Sequence, residues 1–105
     1  MNNDLFFMER AYEQALLGFK KEEIPVGAVV VYDNEIISEA HNESIIKTDP
    51  TSHAEIEAIR KAALKIGNYR LTNAKMFVTL EPCLMCCGAL IHARFDKVIF
   101  STQDK

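Results

Sequence analysis

The chain has 105 residues and a formal net charge of −3, with 49% hydrophobic and 26% charged residues. That length supports one domain with one hydrophobic core, and the composition excludes disordered and fibrous classes. The acidic balance means that any nucleic-acid contact must come from local basic groups, not from a global positive field.

In chain order, residues 4–22 have the spacing of an amphipathic helix. Leu5, Met8, Tyr12, Ala15 or Leu16, and Phe19 form its apolar stripe, and Asp4 is placed to cap it. Pro25 disfavours helix at Ile24 and ends the segment. Residues 26–32 (VGAVVVY) form a nearly continuous β-branched run, the pattern of a strand buried on both faces. Asp33 and Asn34 tolerate the left-handed turn of a two-residue hairpin, and residues 35–40 return as a second strand. A polar loop at 41–52 leads into a second helix at about 53–66. Ile56, Ile59, Ala63 and Ile66 lie on its inner face, and Gly67 is its stop. Residues 75–80 read as a strand, 83–94 as a short helix and 97–101 as a strand. The helical crossover between those two strands makes them parallel. The order αββαβαβ implies an α/β layered domain over residues 1–105. The last strand reads as buried and lies close to the end of the chain, so the domain is expected to be incomplete at its C-terminus.

No stretch approaches the roughly 18 uncharged apolar residues of a membrane span. Asp4 and Glu9 stand where a secretory signal would carry a basic segment followed by an apolar run. Three cysteines, two of them adjacent (Cys86, Cys87), make a poor disulfide framework and fit a reducing, cytosolic compartment.

Chemistry concentrates in two short segments. Pro82-Cys83-Leu84-Met85-Cys86 follows a strand and opens a helix, so Pro82 suits the first turn and both thiols fall on one face, one turn apart. The positive helix end favours thiolate, and the carboxyl end of a strand is where open α/β sheets bind ligands. The pair can be a metal site, a redox dithiol, half of a structural zinc site or two buried small residues. Cys87 points roughly 100° around the helix and reads as core.

The second segment is Ser52-His53-Ala54-Glu55. Side chains in a first helical turn tilt towards the N-terminus, so His53 and Glu55 can lean together over the open helix end. The same residues form a capping box, with Ser52 as the cap and Glu55 at the third position. A His and two Cys would leave one position open on a zinc ion, the catalytic arrangement. His92 lies roughly 13 Å along the helix from Cys83, too far to close the site. It reads as a cation near a helix C-terminus. His41 reads as a solvated loop residue, though not an excluded ligand.

His-x-Glu at one helix start and Pro-Cys-x-x-Cys at another, about 30 residues on, resemble the signature of the zinc nucleobase deaminases. The resemblance runs through IPVGAVVV (24–31), DPTSHAEIEAIR (49–60), NYRL (68–71), TLEPCLMCCGALIHAR (79–94) and VIFS (98–101). It is most similar to the tRNA-specific adenosine deaminases, with guanine and cytosine deaminases as close competitors. The resemblance implies a three-layer cytidine deaminase-like fold with helices on both faces of a mixed sheet. It implies zinc held by His53, Cys83 and Cys86, with Glu55 as proton shuttle. Asn42 and Asp104 match substrate-contacting positions. The implied partners are a tRNA anticodon loop and a second copy of the chain, with no membrane. Lys20, Lys21, Arg60, Lys61, Lys65, Arg70 and Arg94 are basic residues available to phosphate. Readings from other classes are a thiol–disulfide oxidoreductase and a non-catalytic zinc-stabilised module.

Overall fold

A computed structural model describes residues 3–103. The elements are α1 (Asp4–Lys20), β1 (Gly27–Tyr32), β2 (Glu35–His41), α2 (Ala54–Ile66), β3 (Lys75–Leu80), α3 (Leu84–His92) and β4 (Lys97–Thr102). Asp33 and Asn34 sit at φ 55° and 64°, the left-handed pair that a tight hairpin requires. Gly67, at φ 77°, ends α2 as expected.

The strands form one mixed sheet in the order β2-β1-β3-β4. β1 is antiparallel to both β2 and β3, and β4 is parallel to β3. Hence β2, β3 and β4 all run the same way, and their carboxyl ends share one edge of the sheet. The two faces of β1 divide the core. Ala28 and Val30 pack with Met76 and Val78 of β3 under α2 and α3, against Ala54, Ala58, Ala62 and Leu90. Val29, Val31 and Phe77 face the other way, onto Phe7 and Ala11 of α1. The result is three layers, with β1 buried on both faces as its β-branched run predicts.

The helix faces differ from those expected. α1 ends at Lys20, and Asp4 is its first residue rather than its cap, which is Asn3. Its buried side is Phe7, Ala11, Ala15 and Gly18, while Leu5, Tyr12, Leu16 and Phe19 of the expected stripe are exposed. In α2 the fully buried positions are Ala54, Ala58 and Ala62, one step round from Ile56, Ile59 and Ala63. The same reason applies to both. A helix laid on a flat sheet gains most from close approach, and the small residues permit it.

Gly27 shows how close α1 comes. A Cβ there would overlap the carbonyl oxygen of Ala11 and crowd the nitrogen of Ala15. Glycine costs a strand roughly 0.5–1 kcal/mol. The approach it allows buries Val29 and Phe77, each contributing about 1.5–3 kcal/mol.

β4 corrects a further expectation. It is an edge strand paired only with β3 among the described residues, and it is largely exposed rather than buried. Its apolar run resembled a buried strand because a parallel partner and a buried position leave the same composition. No helix of the described residues is long and apolar enough to cross a membrane.

Replacing Gly27 with Ala is expected to cost roughly 1–3 kcal/mol or more, because the obstruction is backbone and cannot rotate away. Chemical denaturation checks this, and an unchanged midpoint would contradict the close approach.

Candidate metal centre

Two helix starts meet at the shared carboxyl edge. His53 is the N-cap of α2, with extended backbone (φ −71°, ψ 157°), and Cys83 is the N-cap of α3 (φ −73°, ψ 174°). Cys86, in the first turn of α3, is completely buried. The sulfur of Cys83 lies 3.6 Å from Nδ1 of His53, and that of Cys86 lies 3.5 Å from the same nitrogen. All three donor atoms fall within 4.8 Å of one another. One ring nitrogen cannot satisfy two thiols by hydrogen bonding, whereas a shared cation can satisfy all three. Zinc–sulfur and zinc–nitrogen bonds of about 2.3 and 2.0–2.1 Å, at a tetrahedral angle, separate the two donors by about 3.6 Å. The donor set fits zinc in chemistry and in spacing.

The capping box is not formed. The cap is His53, not Ser52, and its side chain makes no capping hydrogen bond. Glu55 therefore falls in the second helical position. The N–H of Ala54 is instead donated to Oδ1 of Asn42 at 2.7 Å. In the other segment Pro82 lies just outside α3, because Cys83 takes the cap position.

Glu55 is only 4% exposed. Burial pushes its carboxyl above the ordinary carboxylate range, against a smaller opposing pull from its own backbone N–H, His53 and Cys86. Burial also pushes the Cys86 thiol up, reinforced by the charge of Glu55 and by Cys83. Desolvation thus overrides the helix-end effect that would favour thiolate at Cys86, and a bound cation reverses that balance. Beside these groups lies a cavity of about 190 Å³ lined by Ile24, Val26, Asn42, His53, Glu55, Leu80, Glu81 and Cys83.

The remaining candidates fall elsewhere. His92 is exposed in the last turn of α3, as expected. His41 is buried rather than solvated. Its Nδ1 donates to the Asn42 carbonyl at 2.9 Å, which leaves Nε2 to accept from Lys21 at 3.4 Å. Cys87 is half-buried rather than core, and its thiol donates to the Pro82 carbonyl at 3.7 Å. Asp104 lies outside the described residues.

Two buried carboxylates escaped sequence reasoning. Glu23 accepts the N–H groups of Ile45 and Ile46 at 3.1 and 2.8 Å, clamping the loop before α2. Glu57 accepts from Lys47 at 2.7 Å and Arg60 at 3.3 Å. Burial alone would raise the Glu57 carboxyl, but Lys47, Ser52 and Arg60 together hold it below the ordinary range. Only the Arg60 contact, three residues away on the same helix, had a sequence signal.

Residues 1–102 match the cytidine and deoxycytidylate deaminase zinc-binding region. The chain belongs to that family. A tRNA-specific adenosine deaminase from Buchnera aphidicola subsp. Baizongia pistaciae is 45% identical over 104 residues, covering 99% of this chain and 64% of the relative. The chain thus spans about two thirds of that relative's length. A solved structure from a study of tRNA:A34 deaminases superposes with a TM-score of 0.94 at 40% identity, over 95% of this chain and 72% of the other. A Bacillus subtilis guanine deaminase gives 0.93 at 39% identity, over 98% and 66%. The family is zinc-binding, and His53, Cys83 and Cys86 are the group of described residues that could hold the ion.

Metal analysis is expected to find one zinc per chain. Release should begin as pH falls, since protons compete for thiols and imidazole and the buried Cys86 thiol favours its proton. Zinc retained unchanged in acid would contradict this ligand set. Glu55 makes a separate prediction for the metal-free protein. A carboxyl raised on folding contributes stability fully below its unfolded pKa and loses it as pH rises through the folded value. Metal-free Glu55→Gln should therefore melt higher than the parent at neutral pH, and the difference should vanish in acid.

Proposed function

We propose that this domain is a zinc-dependent hydrolytic deaminase that converts adenosine to inosine at the wobble position of tRNA. The observation that carries the reading is the convergence of His53 Nδ1 and two thiols beside the buried carboxylate of Glu55, at the wall of a cavity. When bound, zinc supplies Lewis acidity that lowers the pKa of water towards 7.

His53, Cys83 and Cys86 are its ligands in this reading. Glu55 takes one proton of the attacking water and passes it to the ring nitrogen of the base as the C–O bond forms. It then takes the second, from the new hydroxyl on the base carbon, and delivers it to the amino group, so that the C–N bond breaks, ammonia departs and a carbonyl remains. Its raised proton affinity suits a shuttle that must both accept and donate near neutral pH. Ile24, Val26 and Leu80 give the cavity an apolar wall against which a base can lie, and Asn42 offers a polar contact. A stacked base cannot enter such a pocket, so the substrate base comes from a single-stranded loop and is splayed in.

The names of the curated relatives support adenosine in tRNA as the substrate. Among the basic residues, Arg60 is engaged with Glu57 and Lys61 with the Glu39 carbonyl, while Arg70 stacks over the exposed ring of Tyr69 at 5.3 Å. A homodimer acting in the cytoplasm and an anticodon loop as partner complete the proposal, on the strength of the family resemblance. A second reading, deamination of free guanine, is favoured by the equally close superposition on the Bacillus subtilis guanine deaminase.

The test is an assay of an anticodon stem–loop against free adenosine, cytosine and guanine, with Glu55→Gln as the control. The variant should keep its zinc and lose about 10²–10⁴ in turnover. Turnover that survives the substitution would overturn the role of Glu55, and preference for guanine would establish the second reading.

A further inference from the structure

We infer that Asn42 is a positioning residue for the metal centre: its Oδ1 accepts the N–H of Ala54, the residue next to His53, and so holds the His53 ring against the two thiols. His53 occupies the N-cap of α2, but Nδ1 of its ring faces Cys83 and Cys86 at 3.6 and 3.5 Å. The first amides of a helix have no partner within it, and the N–H of Ala54, the first residue of α2, is one of them. Ala54 is completely buried, so water cannot substitute there. The side chain that does accept its N–H, at 2.7 Å, comes from twelve residues earlier.

Asn42 is itself fixed on its remaining sides. Its N–H is donated to the Val26 carbonyl at 3.3 Å, its own carbonyl accepts from His41 Nδ1 at 2.9 Å, and it is 6% exposed. It therefore ties the end of β2 and the entry to β1 directly to the first residue of α2. The position of the His53 backbone relative to Cys83 and Cys86 is then set by the sheet, because α3 springs from β3 in the same sheet. A partner that orients a metal ligand from one step away commonly governs metal affinity as strongly as it governs catalysis.

The inference rests on the metal-centre reading, and its test separates the two. Zinc affinity is measured by chelator competition for the parent, Asn42→Ala and Asn42→Asp, together with the absorption spectrum of each protein loaded with cobalt and the hydrogen exchange of the Ala54 amide. Asp keeps the acceptor and loses the amide NH₂; Ala loses both. Asn42→Ala should bind zinc about 10–100-fold more weakly, with an altered cobalt spectrum and a faster-exchanging Ala54 amide. Asn42→Asp should resemble the parent in all three, whatever its turnover. Equal zinc affinity in parent and Asn42→Ala would overturn the positioning role, as would an Asn42→Asp loss as large as that of Ala. If Asn42→Ala is too unstable to titrate, Asn42→Asp decides alone: parent-like affinity supports the inference and a tenfold loss overturns it. A parent that binds no zinc would instead overturn the metal-centre reading.

Discussion

Everything at the candidate centre depends on β2 and β3 running in the same direction. Each is antiparallel to β1, which lies between them, so both chains leave the sheet at one edge. The helices that follow pack on the same face, and their N-termini are forced into proximity. Residues thirty-three apart in sequence then hold donor atoms 3.5 Å apart, with no loop bent specially to deliver them. The alanines of α2 and the glycine of β1 serve this constraint from opposite faces, because each lets a helix lie close enough to the sheet to be located by it.

The sequence carried the strands and the hairpin because their signals are local. A β-branched run, two turn residues and a helical stop each depend on neighbouring side chains alone, and Asp33, Asn34 and Gly67 adopt the conformations that their types suggest. The grouping of His53, Cys83 and Cys86 was legible for another reason: a known pairing of two short motifs resembles it. Helix orientation was not legible. In α1 and α2 two stripes compete, one of large apolar residues and one of small ones, and composition cannot tell which meets a sheet. Glu23 and Asn42 were harder still, since the amides they accept lie on segments that only the fold brings near them.

The centre also works against the stability of the domain that carries it. A carboxyl and a thiol share a buried site: burial raises the proton affinity of both, the charge of Glu55 raises that of Cys86 further, and the Cys86 contact only partly offsets the rise at Glu55. Such a site favours neutral groups until a cation arrives, which makes metal binding and completion of the fold two aspects of one event. Conflict between local groups and burial is the usual mark of a functional site in an otherwise consistent structure.

The segment between Asn42 and His53 has a narrow neck. The N–H of Glu43 bonds the Ser52 carbonyl at 2.9 Å, so the loop leaves and re-enters at nearly one point, and Glu23 anchors its outer part separately. Beyond the neck, Lys47 reaches α2 by donating to Glu57 at 2.7 Å. The side chains of Ile45 and Ile46 are exposed, while their backbone N–H groups are held by Glu23. The cavity at the centre is lined from outside this loop, by Asn42 before the neck and by His53 and Glu55 after it, so the loop's outer surface is free to vary apart from the pocket.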